Sequence, residues 1–356
     1  MAPAADLRQQ VGSYRLVRKI GEGGMGAVYE AVHSRIGKRA AIKMLHPSKT
    51  GPGPRGMPGI IERFFNEACS VNAVQHPSIV NIYEHGHTDD GAPYLVMDYL
   101  EGETLRERLR RHKGRLPHEA LLLGRQITAA MAAAHEKGVI HRDLKPDNIM
   151  LVHDPEAASG KRVKILDFGL AKLASDYGGP RAELPHATGT GQTMGTPTYM
   201  SPEQCRGLSE LSGKTDVYAV GVILFELVAG RPPFISQSAG ELWGMHLYQA
   251  PPQLAELNPQ VRPGLARLVD RMLAKDPEQR PTMAEAMSAL EALGAPRLSH
   301  PALSLQQPQV VMPAQSTSPA LPGGTLHGAL TRLSPGPLLT RVNTAVSAVP
   351  LRWRLP

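Results

Sequence analysis

Cysteine, aromatic side chains and long apolar runs are all scarce in this chain of 356 residues. The two cysteines, Cys69 and Cys205, lie far apart and lack the spacing of metal ligands, so we expect reduced thiols and a cytoplasmic setting. Phe, Trp and Tyr make up 4% of the chain, which lowers the expectation of a β-sandwich. These absences argue against a disulfide-rich secreted domain.

The chain also shows no targeting or membrane-spanning signal. Residues 1–6 have no apolar core of the kind that a secretory signal needs. The longest apolar stretch, residues 217–229, is interrupted by Gly221 and Glu226 and falls short of the roughly 18 to 20 residues of a membrane span. We interpret it as a buried helix of a globular domain.

Charge is distributed unevenly along the chain. The net charge is +7, but the segment after Ala295 has five arginines, ten prolines and no acidic residue. The surplus on the rest of the chain does not indicate nucleic acid as a partner. Residues 296–356 are predicted to be largely disordered. This tail has three interpretations: an inert linker, a docking or autophosphorylated arm, or a juxtamembrane segment whose membrane span is missing from this chain. Its arginines would contact anionic lipid or acidic partners only weakly.

Periodicity divides the rest of the chain into two parts. Short apolar runs around glycines predict strands in residues 14–45, 79–85 and 93–99. A helical period predicts helices in five segments: 60–74, 118–136, 215–228, 262–274 and 282–293. Gly138 and Gly230 follow two of them where C-caps are expected. A strand-rich first part and a helix-rich second part predict an α+β architecture in two lobes, with a ligand cleft between them.

A glycine-rich turn lies in the strand-rich part. Gly21, Gly23 and Gly26, followed by Val28, match the pattern G-x-G-x-x-G-x-V, in which glycines let backbone N–H groups approach phosphate oxygens. The pattern alone is weak, because glycine turns are common. Its context separates it from a dinucleotide fingerprint: residues 40–43, Ala-Ala-Ile-Lys, continue as a second strand where a crossover helix would be expected.

Lys43 ends this second apolar run, where an unpaired ammonium group would be costly. We therefore expect a carboxylate partner for it. Glu67 lies after this strand, on the predicted helix 60–74. Taken alone, Glu67 would instead be an ordinary solvated residue of a helix surface.

The run His141-Arg142-Asp143-Leu144-Lys145-Pro146-Asp147-Asn148 carries the chemistry of a phosphoryl transfer. Asp143 can accept the proton of an attacking hydroxyl, Lys145 can stabilise a phosphoryl group, and Asn148 can offer a neutral oxygen to Mg²⁺. A further carboxylate, Asp167, follows the apolar residues 163–166 and precedes Phe168 and Gly169.

Together these motifs resemble those of protein kinases, with H-R-D-L-x-x-x-N at residues 141–148 and D-F-G at 167–169. From about Tyr14 to Leu293 the chain resembles a bacterial eukaryotic-like serine/threonine protein kinase. The resemblance implies a small β-rich N-lobe with one regulatory helix, at about 14–100, and a larger, mainly helical C-lobe, at about 101–295. Residues 1–13 would form an N-terminal extension of this kinase domain, 14–295, and residues 296–356 its tail.

The resemblance assigns cofactors and site residues. It implies ATP with Mg²⁺, or Mn²⁺ as the alternative ion. Asp143, Lys145 and Asn148 would be catalytic, and Asn148 and Asp167 would bind the metal. The nucleotide would be held by the residues of the glycine turn, the Lys43–Glu67 pair, the apolar walls and the hinge: Gly21, Gly23, Gly26, Lys43, Glu67, Val28, Ala41, Met150, Met97, Asp98 and Leu100.

Other residues would have structural roles. The stack that aligns the lobes would consist of Ile82, Val71, Phe168 and His141, which makes His141 a packing residue. Ser201-Pro202-Glu203 stands where the family has A-P-E, a small-for-small change at its first position, and Glu203 would pair with Arg280. Asp216 would hydrogen-bond the backbone of the catalytic loop.

The resemblance also addresses substrate class and regulation. Lys145 and the pair Gly195-Thr196 are typical of kinases that act on Ser and Thr of protein substrates. Arg142 would bind a phosphate on the activation segment, for which the candidates are Thr188, Thr190 and Thr193. A transient dimer would allow this phosphorylation in trans.

Two alternatives to an active protein kinase would leave different marks in the sequence. A pseudokinase would usually have lost the strand lysine, the catalytic aspartate or the metal-binding aspartate, and Lys43, Asp143 and Asp167 are all present. A small-molecule kinase of related fold would have no use for the segment ending in Glu203 or for Arg280.

Overall fold

The computed structural model describes residues 10–23, 26–46, 60–157, 159–168 and 197–294. Several predictions from the sequence fall outside these residues. They are the activation-segment threonines Thr188, Thr190 and Thr193, the pair at 195–196, Gly169, and the tail 296–356.

The first lobe is built on a six-stranded antiparallel sheet. Its strands are β1 (Gln10–Val11), β2 (Tyr14–Gly23), β3 (Gly26–His33), β4 (Arg39–Leu45), β5 (Ile82–His87) and β6 (Pro93–Asp98). Their order across the sheet is β1-β2-β3-β4-β6-β5. The sheet thus includes two residues that the sequence analysis assigned to an N-terminal extension. They join it because Gln10 pairs with Arg15, and Val11, at 1% exposure, packs into the core beneath.

One helix, α1 (Ile60–Asn72), lies against this sheet. Phe64 and Ala68 of α1 are buried with Leu45 of β4 and Leu95 of β6 in one apolar cluster. This contact follows from the helical period of the sequence, which places Phe64 and Ala68 one turn apart on the same face. The helix that carries Glu67 is therefore fixed to the strand that carries Lys43.

The second lobe is mainly helical. In chain order it contains β7 (Gly102–Thr104), α2 (Leu105–Arg111), α3 (Pro117–Glu136), β8 (Ile149–His153), β9 (Lys161–Ile165), α4 (Pro202–Cys205), α5 (Lys214–Ala229), α6 (Ala239–Tyr248), α7 (Leu254–Leu257), α8 (Pro263–Met272) and α9 (Met283–Gly294). Short 3₁₀ turns cover Pro146–Asn148, Pro197–Tyr199 and Pro277–Gln279. Strands β7, β8 and β9 form a small antiparallel sheet.

Helix α5 is the centre of the second lobe. Every residue from Thr215 to Ala229 is buried, as a helix with apolar residues on all sides requires. At Gly221 a Cβ would lie 2.9 Å from the Cβ of Met272, so the glycine permits close packing of α5 on α8. Gly230 ends the helix in the left-handed region, with φ of +86°, which confirms the predicted C-cap.

The small sheet is joined to the chain segment that follows α1. Ile165 N donates to Ser78 O at 2.8 Å, and Val80 N donates to Ile165 O at 3.2 Å. The end of β9 is therefore paired with residues that lead from α1 into β5. Asp167, two residues beyond β9, is held close to the first lobe as a result.

The strands and helices predicted by periodicity are confirmed with small shifts at their ends. Four helices were not predicted: α2, α6 and the single turns α4 and α7. Helix α2 buries only Leu105 and Leu109 in an otherwise charged sequence, so its apolar period is too weak to notice. Its start is marked by a capping box between Thr104 and Glu107. Among the described residues, no helix is long and apolar enough to cross a membrane.

Glu203 and Arg280 form a buried ion pair, as the sequence predicts. Arg280 Nη1 and Nη2 donate to the two carboxylate oxygens of Glu203 at 2.7 and 2.9 Å. The two residues are 4% and 2% exposed. Burial raises the pKa of Glu203, but the Arg280 guanidinium outweighs burial and holds this pKa below its usual value. The pair connects α4 to the loop before α9.

We predict that Arg280→Leu destabilises the protein by about 3 to 5 kcal/mol, because Glu203 is left buried without its counter-charge. Urea unfolding followed by circular dichroism measures the loss. Lys19→Leu is the matched control, since it removes an exposed pair with Glu22 and should change stability little. Similar losses in both variants would contradict a special contribution of the buried pair.

Candidate active site

Three of the predicted catalytic residues lie together in the catalytic loop, residues 141–148. Lys145 Nζ donates to Asp143 Oδ2 at 2.7 Å. Asn148 Nδ2 donates to the backbone oxygen of Asp143 at 2.8 Å and approaches its Oδ2 at 3.2 Å. The 3₁₀ turn Pro146–Asn148 begins directly after Lys145 and brings the amide back toward the carboxylate. The Asp143 side chain is 34% exposed, so a hydroxyl group can reach it.

Asp216 anchors the catalytic loop to helix α5. It lies in the first turn of α5, is fully buried, and accepts from the backbone N–H groups of His141 and Arg142 at 2.8 and 2.9 Å. His135 Nε2 lies 2.8 Å from the same carboxylate. Arg142 has φ of +65°, a conformation that costs a non-glycine residue roughly 1 to 2 kcal/mol. Its hydrogen bond to Asp216 helps to hold that conformation, directly before Asp143.

His141 is a packing residue, in agreement with the role that the resemblance implies. It is fully buried, and its ring centroid lies 4.7 Å from that of Phe168. Its Nδ1 accepts from Asp143 N at 3.3 Å, so Nε2 carries the proton and donates to Leu166 O at 2.8 Å. Both ring nitrogens are therefore engaged in holding the loop against the end of β9.

The remaining members of the predicted stack lie near Phe168. Val71 and Phe168 belong to the core cluster of the second lobe. Both also line a small cavity of about 20 Å³ with Ile82 and Met97. The stack thus reaches from the catalytic loop through Phe168 to α1 and β5.

Asp167 meets Lys43 across the two lobes. Lys43 Nζ donates to Asp167 Oδ1 at 2.7 Å, and Lys43 is only 8% exposed. Burial raises the pKa of Asp167, but the charge of Lys43 and this hydrogen bond outweigh burial and hold the pKa below its usual value. Asp167 is therefore ionised at neutral pH. Leu166 N donates to Asn148 O at 2.9 Å, which keeps this carboxylate beside the catalytic loop.

Glu67 lies on the half-buried side of α1. It lines a cavity of about 360 Å³ whose other walls include Val71, Gly138, Arg142 and Phe168. The predicted pair between Lys43 and Glu67 stays a prediction. Asp167 as a partner of Lys43 was not foreseen from the sequence.

Residues assigned to the nucleotide come together on the sheet of the first lobe. Val28 is opposite Lys43, and Ala41 is opposite Met97, in the strand pairing. Val28, Ala41 and Met97 share one apolar cluster. Among the residues that the structure describes, no atom lies within 4 Å of a Cβ placed at Gly23, and a phosphate-binding turn needs such space.

The other nucleotide residues lie at the edges of this group. Asp98 ends β6, and its carboxylate accepts from Asn81 Nδ2 at 2.9 Å and from Tyr83 OH. Leu100 follows in the connection to the second lobe, and Met150 is half-buried on β8. Adenine recognition by Asp98, Leu100 and Met150 stays a prediction.

A further charged cluster lies next to Asp143 and was missed in the sequence. Arg106 of α2 donates to Glu226 Oε1 at 2.9 Å, to Asp147 Oδ2 at 3.2 Å and to Tyr199 OH. Tyr199 OH in turn donates to Glu226. Burial raises the pKa of Tyr199, and the charge of Glu226 raises it further. The cluster joins α2, the catalytic loop, α5 and the turn Pro197–Tyr199.

One signal in the sequence could have located this cluster. Glu226 interrupts the longest apolar stretch, and a carboxylate inside a buried helix needs a cationic or hydrogen-bonding partner. The sequence does not identify that partner, because Arg106 lies 120 residues away.

Comparison with known proteins agrees with this geometry. Residues 14–290 match the family model of the protein kinase domain. The chain belongs to the protein kinase family. A crystal structure of the PknI kinase domain of Mycobacterium tuberculosis has the same fold, with a TM-score of 0.60 and 24% identity, covering 81% of this chain and 99% of that chain.

Three relatives of this chain are bacterial serine/threonine protein kinases. It is 40% identical to Pkn1 of Myxococcus xanthus, over 76% of this chain and 36% of that protein. It is 36% identical to PrkC of Bacillus subtilis, over 83% and 43%, and 35% identical to PknA of Mycobacterium tuberculosis, over 88% and 68%. The chain spans less than half of the length of Pkn1 and PrkC. The bacterial eukaryotic-like type and the α+β kinase fold that the motifs implied are confirmed.

Members of the protein kinase family use ATP and a divalent metal ion. The donor set fits such an ion, because Asp167 is an ionised carboxylate and Asn148 supplies an amide oxygen, both of them hard ligands. Asn148 uses its nitrogen within the loop, so its oxygen is left for a cation. Lys43 uses one of the about four lone-pair sites of the Asp167 carboxylate, so sites remain for a metal ion.

We predict that Arg106→Gln loosens the catalytic loop. The variant leaves Glu226 buried without its cation and should lose about 3 kcal/mol of stability. Faster hydrogen exchange is expected at residues 143–148 and 198–200. Arg108→Gln is the matched control, because Arg108 is also largely buried on α2 but pairs with Glu103 and Glu119 away from this site. If the control accelerates exchange at the same amides, Arg106 has no specific role there.

Proposed function

We propose that this protein transfers the γ-phosphoryl group of ATP to Ser or Thr residues of other proteins. The observation that carries the proposal is the contact of Asp143 with Lys145 and Asn148, at the place where Asp167 and Lys43 meet. A base and a cation thereby lie in one loop, and the hydrogen bond from Leu166 N to Asn148 O keeps Asp167 beside that loop.

In this mechanism Asp143 accepts the proton of the acceptor hydroxyl as its oxygen attacks phosphorus. Lys145, beside Asp143, stabilises negative charge on the phosphoryl group in flight. Lys43 orients the phosphates of the bound nucleotide. A Mg²⁺ ion held by Asn148 and Asp167 would neutralise phosphate charge, and Mn²⁺ is the alternative ion.

Two features favour protein Ser and Thr as acceptors. Lys145, typical of this substrate class, lies beside the base at 2.7 Å. The buried pair of Glu203 with Arg280 anchors the end of an activation segment, for which a small-molecule kinase would have no use. A pseudokinase is disfavoured because Lys43, Asp143 and Asp167 are all retained.

We predict that Lys43→Met and Asp143→Asn each lower the rate of phosphoryl transfer by at least about 10², the usual contribution of a positioned cation or base. Labelled ATP and a generic protein substrate provide the assay. Lys113→Met and Asp89→Asn are matched controls, since both residues are exposed and far in sequence from Lys43, from the catalytic loop and from Asp167. Near-native turnover in either site variant would refute the mechanism.

Regulation by autophosphorylation is part of the proposal. Arg142 precedes the base, and its buried Nε has no hydrogen-bond partner among the residues that the structure describes. A phosphate on Thr188, Thr190 or Thr193 would supply a partner of strong negative charge. A transient dimer would allow the transfer in trans. The cytoplasmic setting and weak contacts of the tail with lipid or acidic partners remain predictions.

We predict phosphate on at least one of these threonines in active protein. Mass spectrometry of the wild type and of Asp143→Asn measures it, and the inactive variant should be unmodified. Replacement of all three threonines by alanine should lower activity, whereas Thr325→Ala in the tail should not. Active protein with all three sites unmodified would disprove this regulation and leave the catalytic proposal intact.

A further inference from the structure

A cavity of about 610 Å³ opens beside the catalytic base, where an acceptor peptide would approach if the proposed function holds. Its walls combine charges of both signs. The cations are Arg106, Arg110, Arg142 and Lys145. The carboxylates are Asp143, Asp147 and Glu226.

All three carboxylates of the cavity are already paired within the protein. Asp143 lies 2.7 Å from Lys145. Arg106 occupies both Glu226, at 2.9 Å, and Asp147, at 3.2 Å. A basic side chain of a substrate would therefore have to compete with Arg106 for either carboxylate. The cavity is a poor site for a basic residue.

The four cations differ in whether they already have a partner within the protein. Lys145 and Arg106 are paired as above, and Arg142 is the proposed ligand of an activation-segment phosphate. Arg110 is exposed at the cavity wall, and no carboxylate of the described ranges lies within ion-pair distance of it. Its positive charge faces the cavity without compensation from this part of the chain.

The neighbouring arginines of α2 show the difference. Arg110 follows Arg106 by four residues and thus lies on the same face of the helix. Arg108 pairs with Glu103 and Glu119, and Arg111 pairs with Glu103, on the other side of the helix. Of the four arginines in α2, only Arg110 lacks a carboxylate partner among the described residues.

We propose that Arg110 binds a carboxylate side chain of the protein substrate, so that the kinase favours acceptor Ser or Thr residues with a neighbouring Asp or Glu. The inference rests on the proposed function and names its substrate class. An ion pair formed in a cavity next to the base would position the acceptor hydroxyl near Asp143. A lysine at the same substrate position would be repelled by Arg110.

The test uses the whole chain and synthetic peptides with one acceptor residue in a neutral frame. Asp, Asn and Lys are placed in turn at each neighbouring position on either side of the acceptor. The proteins are the wild type, Arg110→Ala, Arg110→Glu and the matched control Arg111→Ala. The measured quantity is the ratio of kcat/KM for the Asp peptide to that for the Asn peptide.

In the wild type we expect this ratio to be about two to five at one position, the usual effect of an exposed ion pair. Arg110→Ala should bring the ratio near one through KM, and Arg110→Glu should make the Lys peptide the preferred one at that same position. Arg111→Ala should keep the wild-type ratio. Reversal of the preference by charge reversal cannot result from partial unfolding.

Three results would overturn the inference. The first is an active wild type with no selectivity for Asp at any position. The second is an Arg110→Ala variant that keeps the full selectivity. The third is an Arg110→Ala variant that slows all peptides equally, as expected if Arg110 instead pairs within the chain. Failure of the proposed function itself is distinct, because then the wild type would phosphorylate no peptide.

Discussion

The buried ammonium group of Lys43 is the constraint on which the meeting of the two lobes depends. Lys43 is 8% exposed on a strand with apolar neighbours, and an isolated charge in that place would cost several kcal/mol. Asp167 provides the counter-charge from the second lobe. Because β4 is fixed in the sheet and Asp167 follows β9, one ion pair sets the distance between a strand of the first lobe and the catalytic loop beside Asp167.

A second buried charge fixes the other side of the site. Asp216 lies on α5, which is buried along its length, and it accepts hydrogen bonds from the backbone at His141 and Arg142. The core of the second lobe therefore determines where Asp143 stands. The hydrogen bond from Leu166 to Asn148 joins this loop to the end of β9. Each charged group of the site is thus held by a part of the fold that is rigid for reasons of packing.

Most of the fold and the local part of the site could be predicted from the sequence, because both depend on residues that are close together in the chain. The residues at 141–148 lie within one loop, so their spacing alone indicates that they act together. The pairs Glu203–Arg280 and Asp216 with the catalytic loop came from resemblance to a family. The contacts of Lys43 with Asp167 and of Arg106 with Glu226 join residues more than 100 positions apart, and charge alone does not select among many candidate partners.

Arg106 and Glu226 both line the cavity beside Asp143, but they pair with each other and so stabilise the fold. Glu226 is buried and must be neutralised, so its partner Arg106 is committed to the structure of the lobe. Arg110 lies one turn further on the same helix face and pairs with no carboxylate of the described residues. Arg106 is largely removed from water and therefore needs its partner Glu226 within the protein. Arg110 is exposed, so its guanidinium can exchange water for a ligand. The same helix thus stabilises the catalytic loop through Arg106 and, in our proposal, binds the substrate through Arg110.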